Sequence, residues 1–352
     1  MRIQILTVLK NTDKEILTSV KNVLANQKLN IAIVPHENPD GDAIGSAIGL
    51  AEVLTDYGHT VNIVSPNSYP EFLKWFSSDV NIIHFNKNKK AGKETIQNAD
   101  VLVCVDFNEI GRSEKIEKTI EKFTKTKILI DHHPNPTNFC DYMISEPSYS
   151  STAELIYDVV HQIGLEENIT HNAAEALYTG VLTDTGSFSH NTSRPNTFKV
   201  VSELMKFGID TEKIQSSVYH NFSAERMKLL GYCLNEKMEV YPEFRTAVIS
   251  ISRQELKRFK FEPGDTEGFV NYPLSINNIV FSAIFIEKED FVKASFRSKG
   301  DFPANKFARE HFSGGGHLNA AGGESKLSMQ DTLKKFTQLL PEFKHQLMET
   351  II

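Results

Sequence analysis

The sequence predicts an α/β protein: a doubly wound, mostly parallel sheet in the N-terminal part, followed by a smaller α+β domain. Three observations predict it. Short continuous apolar runs rich in Val and Ile ("NIAIVP", "TVNIVS", "DVLVCVDF", "TKILIDHH") read as strands buried on both faces of a parallel sheet. Stretches with helical periodicity alternate with them. Beyond residue 240 the texture changes, and "FRTAVISIS", "NIVFSAIFIEKED" and "FVKASFRS" look like antiparallel strands joined by turns. A chain of 352 residues with 40% hydrophobic and 24% charged residues is long and apolar enough for two cores.

Taken in order, residues 12–27 have helical periodicity, with Thr12 or Asp13 available near the N-cap. "NIAIVP" is the first sheet strand, and "DAIGSAIGLAEVLTDYG" a helix closed by Gly58. "SEKIEKTIEKF", "STAELIYDVVHQIG", "THNAAEALYTGVLTDTG" and "RPNTFKVVSELMKFG" are the further helices of a first domain spanning 1–210. A helical connector follows over 211–240, with "FSAERMKLLGYCLNEKM" as one helix. The second domain, 241–352, carries a glycine-rich loop, "SGGGHLNAAGG", and ends in the helical "SMQDTLKKFTQLLPEFKHQLMET".

Several classes are disfavoured. No apolar run approaches the ~20 residues of a membrane span, and the N-terminus lacks a signal-peptide pattern, so a cytoplasmic location without a membrane partner is expected. Cys104, Cys140 and Cys233 are far apart in sequence and form no CxxC spacing, which reads as reduced structural thiols. A net charge of -7 argues against long nucleic acid held on a broad basic surface. A small anionic ligand remains open, with bound metal ions supplying local positive charge.

The acids sit in a telling pattern. His36-x3-Asp40-x-Asp42 follows the first strand, Asp106 ends "VLVCVD", Asp131-His132-His133 ends "ILIDHH", and Asp184 lies in "GVLTDTGSF" at a helix end or turn. Strand C-termini of a parallel sheet share one edge, where ligand clefts form. Each element alone has a bland reading as a turn or cap; together they predict a cation site. Hard oxygen donors mixed with imidazole suit Mn²⁺, with Mg²⁺ or Co²⁺ as substitutes.

These motifs resemble the DHH phosphoesterases: "HENPDGD", "VDFNEIGR", "DHH" and "LTDTGSF" match the family's four motifs in order, and "FSGGGHLNAAGG" is similar to the glycine-rich motif of the accompanying DHHA1 domain. Within the family the two-domain arrangement is most similar to the NrnA-type oligoribonucleases. The resemblance implies that His36, Asp40 and Asp106 hold one ion, and that Asp42, Asp106, His132 and Asp184 hold a second, with Asp106 bridging. A hydroxide shared by the ions would attack in line. It implies a catalytic role for His133, as phosphate contact or proton donor; Asp131 would orient the imidazoles, with capping of the turn after the strand as the nearly equal alternative. Substrate would meet Arg297, Ser298, Gly314, Gly315, Gly316 and His317 on the second domain, across a cleft from the metals. Arg112 and His190 flank metal motifs and are candidates for reaching substrate, whereas Arg194 reads as a surface ion pair. The implied activity is hydrolysis of short RNA to 5'-mononucleotides and removal of the 3'-phosphate of 3'-phosphoadenosine 5'-phosphate. The alternatives are a phosphodiesterase for linear dinucleotides, or a non-catalytic nucleotide sensor. The resemblance also makes a homodimer a reasonable assembly.

Overall fold

The computed structural model describes residues 9, 14–25, 27–76 and 80–351. It divides into two compact units, one running through Asn221 and the other starting at Phe222. Thr12 and Asp13 lie outside the described residues.

The first unit contains, in order, α1 (Lys14–Leu24), β1 (Asn30–Pro35), α2 (Gly41–Tyr57), β2 (Thr60–Ser65), β3 (Asn81–His84), α3 (Lys89–Asn98), β4 (Val101–Val105), α4 (Glu117–Glu121), β5 (Thr126–Asp131), β6 (Tyr142–Ser145), α5 (Thr152–Ile163), α6 (His171–Asp184), α7 (Pro195–Met205) and α8 (Thr211–Tyr219). The six strands form one parallel sheet in the order β3-β2-β1-β4-β5-β6. The order reverses between β1 and β4, the place where clefts open beyond strand C-termini. Both faces are buried. Ile31, Ile33, Val101, Val103, Val105, Ile128 and Ile130 face one core with α2, α5 and α6, while Ala32, Val34, Leu102, Cys104 and Leu129 face another. This alternation is why the central strands read as unbroken apolar runs. The edge strands "NIIH" and "YMIS" are short and only partly buried, so they lack that signature.

Close packing of α2 on α6 depends on glycine. A Cβ on Gly45 would sit 2.5 Å from the Ala176 carbonyl oxygen and 2.9 Å from the Gly180 nitrogen. The missing side chain lets the two helix backbones touch, and Asp42 and Asp184 ride on those helices. Cys104, Cys140 and Cys233 are free and buried, as reduced structural thiols would be. Cys104 and Cys140 nevertheless meet in one core, and its neighbour together with burial pushes the Cys104 thiol well up.

The second unit contains α9 (Ala224–Tyr232), β7 (Met238–Tyr241), β8 (Thr246–Ile251), α10 (Arg253–Arg258), β9 (Phe281–Glu287), β10 (Val292–Ser298), α11 (Ala304–His311), β11 (Gly315–His317), β12 (Ala320–Ser325) and α12 (Met329–Glu349). The sheet order is β11-β12-β10-β9-β8-β7. Expected as antiparallel throughout, it pairs β8 with β9 in parallel, because α10 and a 3₁₀ segment at Phe269–Ser275 carry the chain back across the sheet. The glycine-rich segment is not a loop: Gly315–His317 pairs antiparallel with Ala320–Gly322 as a hairpin at the sheet edge. Glycine is needed there for backbone approach, since a Cβ on Gly314 would fall 1.9 Å from the Gly322 oxygen. The expected single connector helix stops at Tyr232 and continues as a π turn, Cys233–Lys237, into β7.

Candidate metal centre

Four chain segments deliver side chains to the C-terminal edge of the parallel sheet. β1 ends at Pro35 and His36 follows directly. Asn38, at φ 52°, turns the chain into α2, whose N-cap is Asp40. Asp40 Oδ1 accepts from the Asp42 and Ala43 amides at 3.1 and 3.0 Å, leaving Oδ2 3.8 Å from His36 Nε2. Asp40 thus caps α2 with one oxygen and turns the other toward His36, so capping does not preclude a ligand role. Asp106 lies one residue past β4 at φ 66°, a left-handed conformation that costs a non-glycine residue roughly 1 kcal/mol. Its amide donates to the Ile130 oxygen at 3.1 Å. Asp131 closes β5, and Asp184 is the last residue of α6.

The imidazole tautomers can be read from their partners. His36 Nδ1 lies 2.8 Å from the Glu37 carbonyl oxygen, so Nδ1 carries the hydrogen and donates. Its Nε2 is buried with no hydrogen-bond partner, facing Asp106 Oδ2 at 3.5 Å and Asp40 Oδ2. His132 Nδ1 donates in the same way to the Tyr149 carbonyl oxygen at 3.2 Å. Its Nε2 faces Asp184 Oδ2 at 3.5 Å, Asp106 Oδ1 at 3.7 Å and Asp42 Oδ2 at 3.8 Å. These separations exceed hydrogen-bond length. They approach the ~3.0–3.5 Å between neighbouring donors on one ion with bonds of ~2.1 Å. Two sets of candidate ligand atoms converge, His36–Asp40–Asp106 and Asp42–His132–Asp184, each within 4.8 Å, and the two oxygens of Asp106 face one set each. A third set joins Asp106, Asp131 and His133, whose Nδ1 lies 2.8 Å from Asp131 Oδ1.

The electrostatics of the cation-free cluster point the same way. Burial would lower the His36 pKa, but the Asp106 and Asp40 carboxylates outweigh it and raise it to about 9. Burial likewise opposes the His132 charge, yet Asp184 and Asp106 raise its pKa. Burial and the Asp106 charge push Asp131 up to about 7, and burial with Asp106 and Asp184 pushes Asp42 well above the carboxylate range. Too much negative charge is gathered here, and protons are held to offset it. Cations would displace those protons, so the donor set fits divalent ions.

The other expected residues are spread over both units. Arg112 lies in a 3₁₀ turn, Ile110–Ser113, where its carbonyl accepts from the Glu37 amide at 2.8 Å and its charge acts on His36, Asp40 and Asp131. In the second unit Arg297 is half-buried and donates from Nη1 to the Phe296 oxygen at 3.0 Å. The Ser298 hydroxyl donates to the Phe302 oxygen at 2.7 Å and accepts from Asn319 Nδ2 at 2.9 Å, tying the strand end to the hairpin turn. Gly314, Gly315, Gly316 and His317 form and precede the edge strand already described. Arg194, expected as a surface ion pair, instead donates to the Ser148 carbonyl and hydroxyl oxygens and stacks 4.5 Å from the Tyr149 ring centre.

Two groups at the cluster were not evident from the sequence. Tyr149 acts through its backbone carbonyl, which no side-chain pattern reveals. Thr152 sits in the first turn of α5; the "SxxE" at 151–154 marks a helix start but says nothing about where that helix points.

Fold and cluster together define the class: an α/β enzyme built round a carboxylate–imidazole cluster able to hold divalent cations. The chain belongs to the DHH family of phosphoesterases, in the branch that carries a DHHA1 domain, and is a hydrolase. The family's N-terminal domain matches residues 30–181 and the DHHA1 domain residues 246–346. An exopolyphosphatase-related protein from Bacteroides fragilis superimposes with a TM-score of 0.91 at 39% identity, covering 97% of this chain and 99% of that one. A probable bifunctional oligoribonuclease and PAP phosphatase NrnA from Streptococcus mutans is 30% identical over 88% of this chain and 94% of its own length. The bifunctional oligoribonuclease and PAP phosphatase NrnA of Thermus thermophilus is 28% identical over 87% of each. Among the described residues, no helix is long and apolar enough to cross a membrane.

Proposed function

We propose that the protein hydrolyses short oligoribonucleotides to 5'-mononucleotides and removes the 3'-phosphate of 3'-phosphoadenosine 5'-phosphate, using two divalent ions, Mn²⁺ foremost. The observation that carries the reading is the two-sided presentation of Asp106, with Oδ2 toward His36 and Oδ1 toward His132. Relatives of nearly equal length named for both activities supply the substrate class.

In this reading His36, Asp40 and Asp106 hold one ion, and Asp42, Asp106, His132 and Asp184 the other. When bound, the ions supply Lewis-acid charge and a water made nucleophilic near neutral pH. The chain's own residues do the rest. Asp131 accepts from His133 Nδ1 and fixes that ring, leaving Nε2 as the atom that contacts phosphate or passes a proton to the leaving oxygen. Arg112 adds positive charge beside the cluster. Arg297, the amides of Gly314–Gly316 and His317 are assigned to substrate phosphate. Ser298, its hydroxyl already engaged twice, is assigned to support this strand.

The test is mononucleotide release from a 5'-labelled RNA dinucleotide with Mn²⁺, beside phosphate release from 3'-phosphoadenosine 5'-phosphate, a 24-nucleotide RNA and Asp106→Ala as controls. Turnover of both short substrates, lost in the variant and weak on the long RNA, is expected. Efficient digestion of the long RNA would replace this reading with a processive exonuclease. Nucleotide binding without turnover would leave a sensor.

A further inference from the structure

We propose that the first turn of α5 is a positioning device for the metal cluster, and that Thr152 sets which oxygen of Asp106 is presented to which ion. The inference rests on the two-ion reading above. Thr152 is fully buried, and its hydroxyl donates to Asp106 Oδ1 at 2.8 Å. Its own amide donates to Asp42 Oδ2 at 2.7 Å, and the next amide, Ala153, to Asp42 Oδ1 at 2.9 Å. One residue thus grips two carboxylates delivered by two different strand ends, and does so from a third element more than forty positions along the chain.

Each contact has a physical consequence. The opening amides of a helix have no partner within it and lie at the positive end of its dipole. Here two of them are spent on Asp42, a carboxylate with almost no exposure to water. With both oxygens so held, and Ser46 Oγ also donating to Oδ1 at 3.2 Å, the Asp42 plane has little rotational freedom. The Thr152 hydroxyl does the same for Asp106. Without it, Asp106 Oδ1 would face His132 and His133 at 3.7 and 3.6 Å and Oδ2 would face His36 at 3.5 Å, all beyond hydrogen-bond length, so the carboxylate would be held less firmly about its Cβ–Cγ bond. A bridging carboxylate must present one lone pair to each ion at once, so its rotation is the degree of freedom that matters most. The fit is close, because Gly180 is needed beside it: a Cβ there would lie 2.9 Å from Asp42 Oδ1 and 2.5 Å from Ala153 Cβ.

The role is separable from that of an ordinary buried threonine by reading metal binding directly. Wild type, Thr152→Val and Thr152→Ser are titrated with Mn²⁺ by calorimetry, with electron paramagnetic resonance reporting spin coupling between neighbouring ions and thermal melting of the cation-free protein reporting the fold. Valine keeps the shape and both helix amides but lacks the hydroxyl; serine restores it. Thr152→Val is expected to weaken Mn²⁺ binding on the order of 10–100-fold and to lose the coupled signal. Thr152→Ser is expected to recover both. If Thr152→Val does not fold, Thr152→Ala against Thr152→Ser carries the same comparison. Mn²⁺ binding by the variant equal to wild type, or loss of binding that serine does not restore, overturns the positioning role. Failure of the wild type itself to bind Mn²⁺ would instead overturn the two-ion reading on which it rests.

Discussion

Replacing Gly45 by alanine tests the link between helix packing and the site. The added methyl would meet the Ala176 oxygen at 2.5 Å, the Gly180 nitrogen at 2.9 Å and the Gly180 Cα at 3.1 Å. All three are backbone atoms, so no side chain can swing aside. Restoring ordinary contact at 3.4 Å or more requires α2 and α6 to part by about 1 Å. Overpacking of this kind costs about 1–3 kcal/mol, and alanine's better helix propensity returns about 1 kcal/mol. With a rigid backbone on the receiving side the upper end applies, for a net loss of about 2 kcal/mol. In a unit of this size that lowers Tm by about 4–8 °C. The same separation draws Asp42, in the first turn of α2, away from Asp184 at the end of α6, so Mn²⁺ affinity falls about 10-fold. Gly49→Ala is the comparison on the same helix pair, because its methyl would press on the Leu177 side chain at 2.6 Å while the nearest backbone atom, the Ala173 oxygen, stays at an ordinary 3.4 Å. Its cost is one of repacking Leu177 rather than of parting the two backbones. Circular dichroism melts and Mn²⁺ calorimetry measure both effects. A Gly45→Ala protein that melts within 1 °C of wild type, roughly the error of the magnitudes used, and binds Mn²⁺ equally would refute the reasoning.

Other consequences are as direct. In the cation-free protein His36 is raised from 6.5 to about 9, so its stabilising contribution is complete below pH 6.5 and is lost as pH rises through 9. Asp131, raised from 3.8 to about 7, adds a penalty absent below pH 3.8 and complete above 7. The folded state therefore binds more protons than the unfolded one from pH 4 to 9, as these two groups set it, and apo Tm should fall over that range while saturating Mn²⁺ removes or reverses the trend. A flat apo profile would contradict the assigned charge states. Gly315→Ala meets nothing within 4 Å and should leave the melt unchanged, so a several-fold rise in KM would mark that strand as a substrate contact; Gly314→Ala, driven against the Gly322 oxygen, should lower Tm instead. Asp131→Asn, which removes the carboxylate from His133, should lower kcat about 10–100-fold with Mn²⁺ stoichiometry intact; an unchanged kcat would remove Asp131 from the mechanism.

The central strands, the helices between them and the strand-end acids were legible because each leaves a local trace. "VLVCVD" is an apolar run stopped by a residue that gains nothing from being in a strand, and Asp106 proves to be in a left-handed conformation just past β4. What was not legible depends on neighbours distant in sequence. The parallel β8–β9 pairing follows from the path of the intervening chain, not from either strand's composition. The glycine segment looked like a loop because glycine marks close backbone approach as readily as flexibility, and here the approach is to Gly322 across a hairpin. Thr152 was hidden for a similar reason: its sequence context specifies a helix start, while its partners Asp42 and Asp106 belong to other elements.

The proposed two-ion occupancy accords with the charge of the cluster. Asp40, Asp42, Asp106, Asp131 and Asp184 bring five carboxylates to within reach of three imidazoles, and Arg112 contributes a nearby positive charge. The carboxylates raise His36 to about 9 and raise His132 as well, while burial and like charge raise Asp42 and Asp131, so each of these groups holds its proton more firmly than usual. Those same protons occupy the nitrogen atoms that face the carboxylates, so metal binding must release them. A single divalent ion would leave the carboxylates in excess even with Arg112 counted, and some proton would have to stay. Two divalent ions with Arg112 match the five carboxylates in full, leaving the imidazoles neutral and their Nε2 lone pairs available. A phosphodiester entering such a site meets no surplus of negative charge, a condition that the cation-free cluster, or one holding a single ion, does not meet.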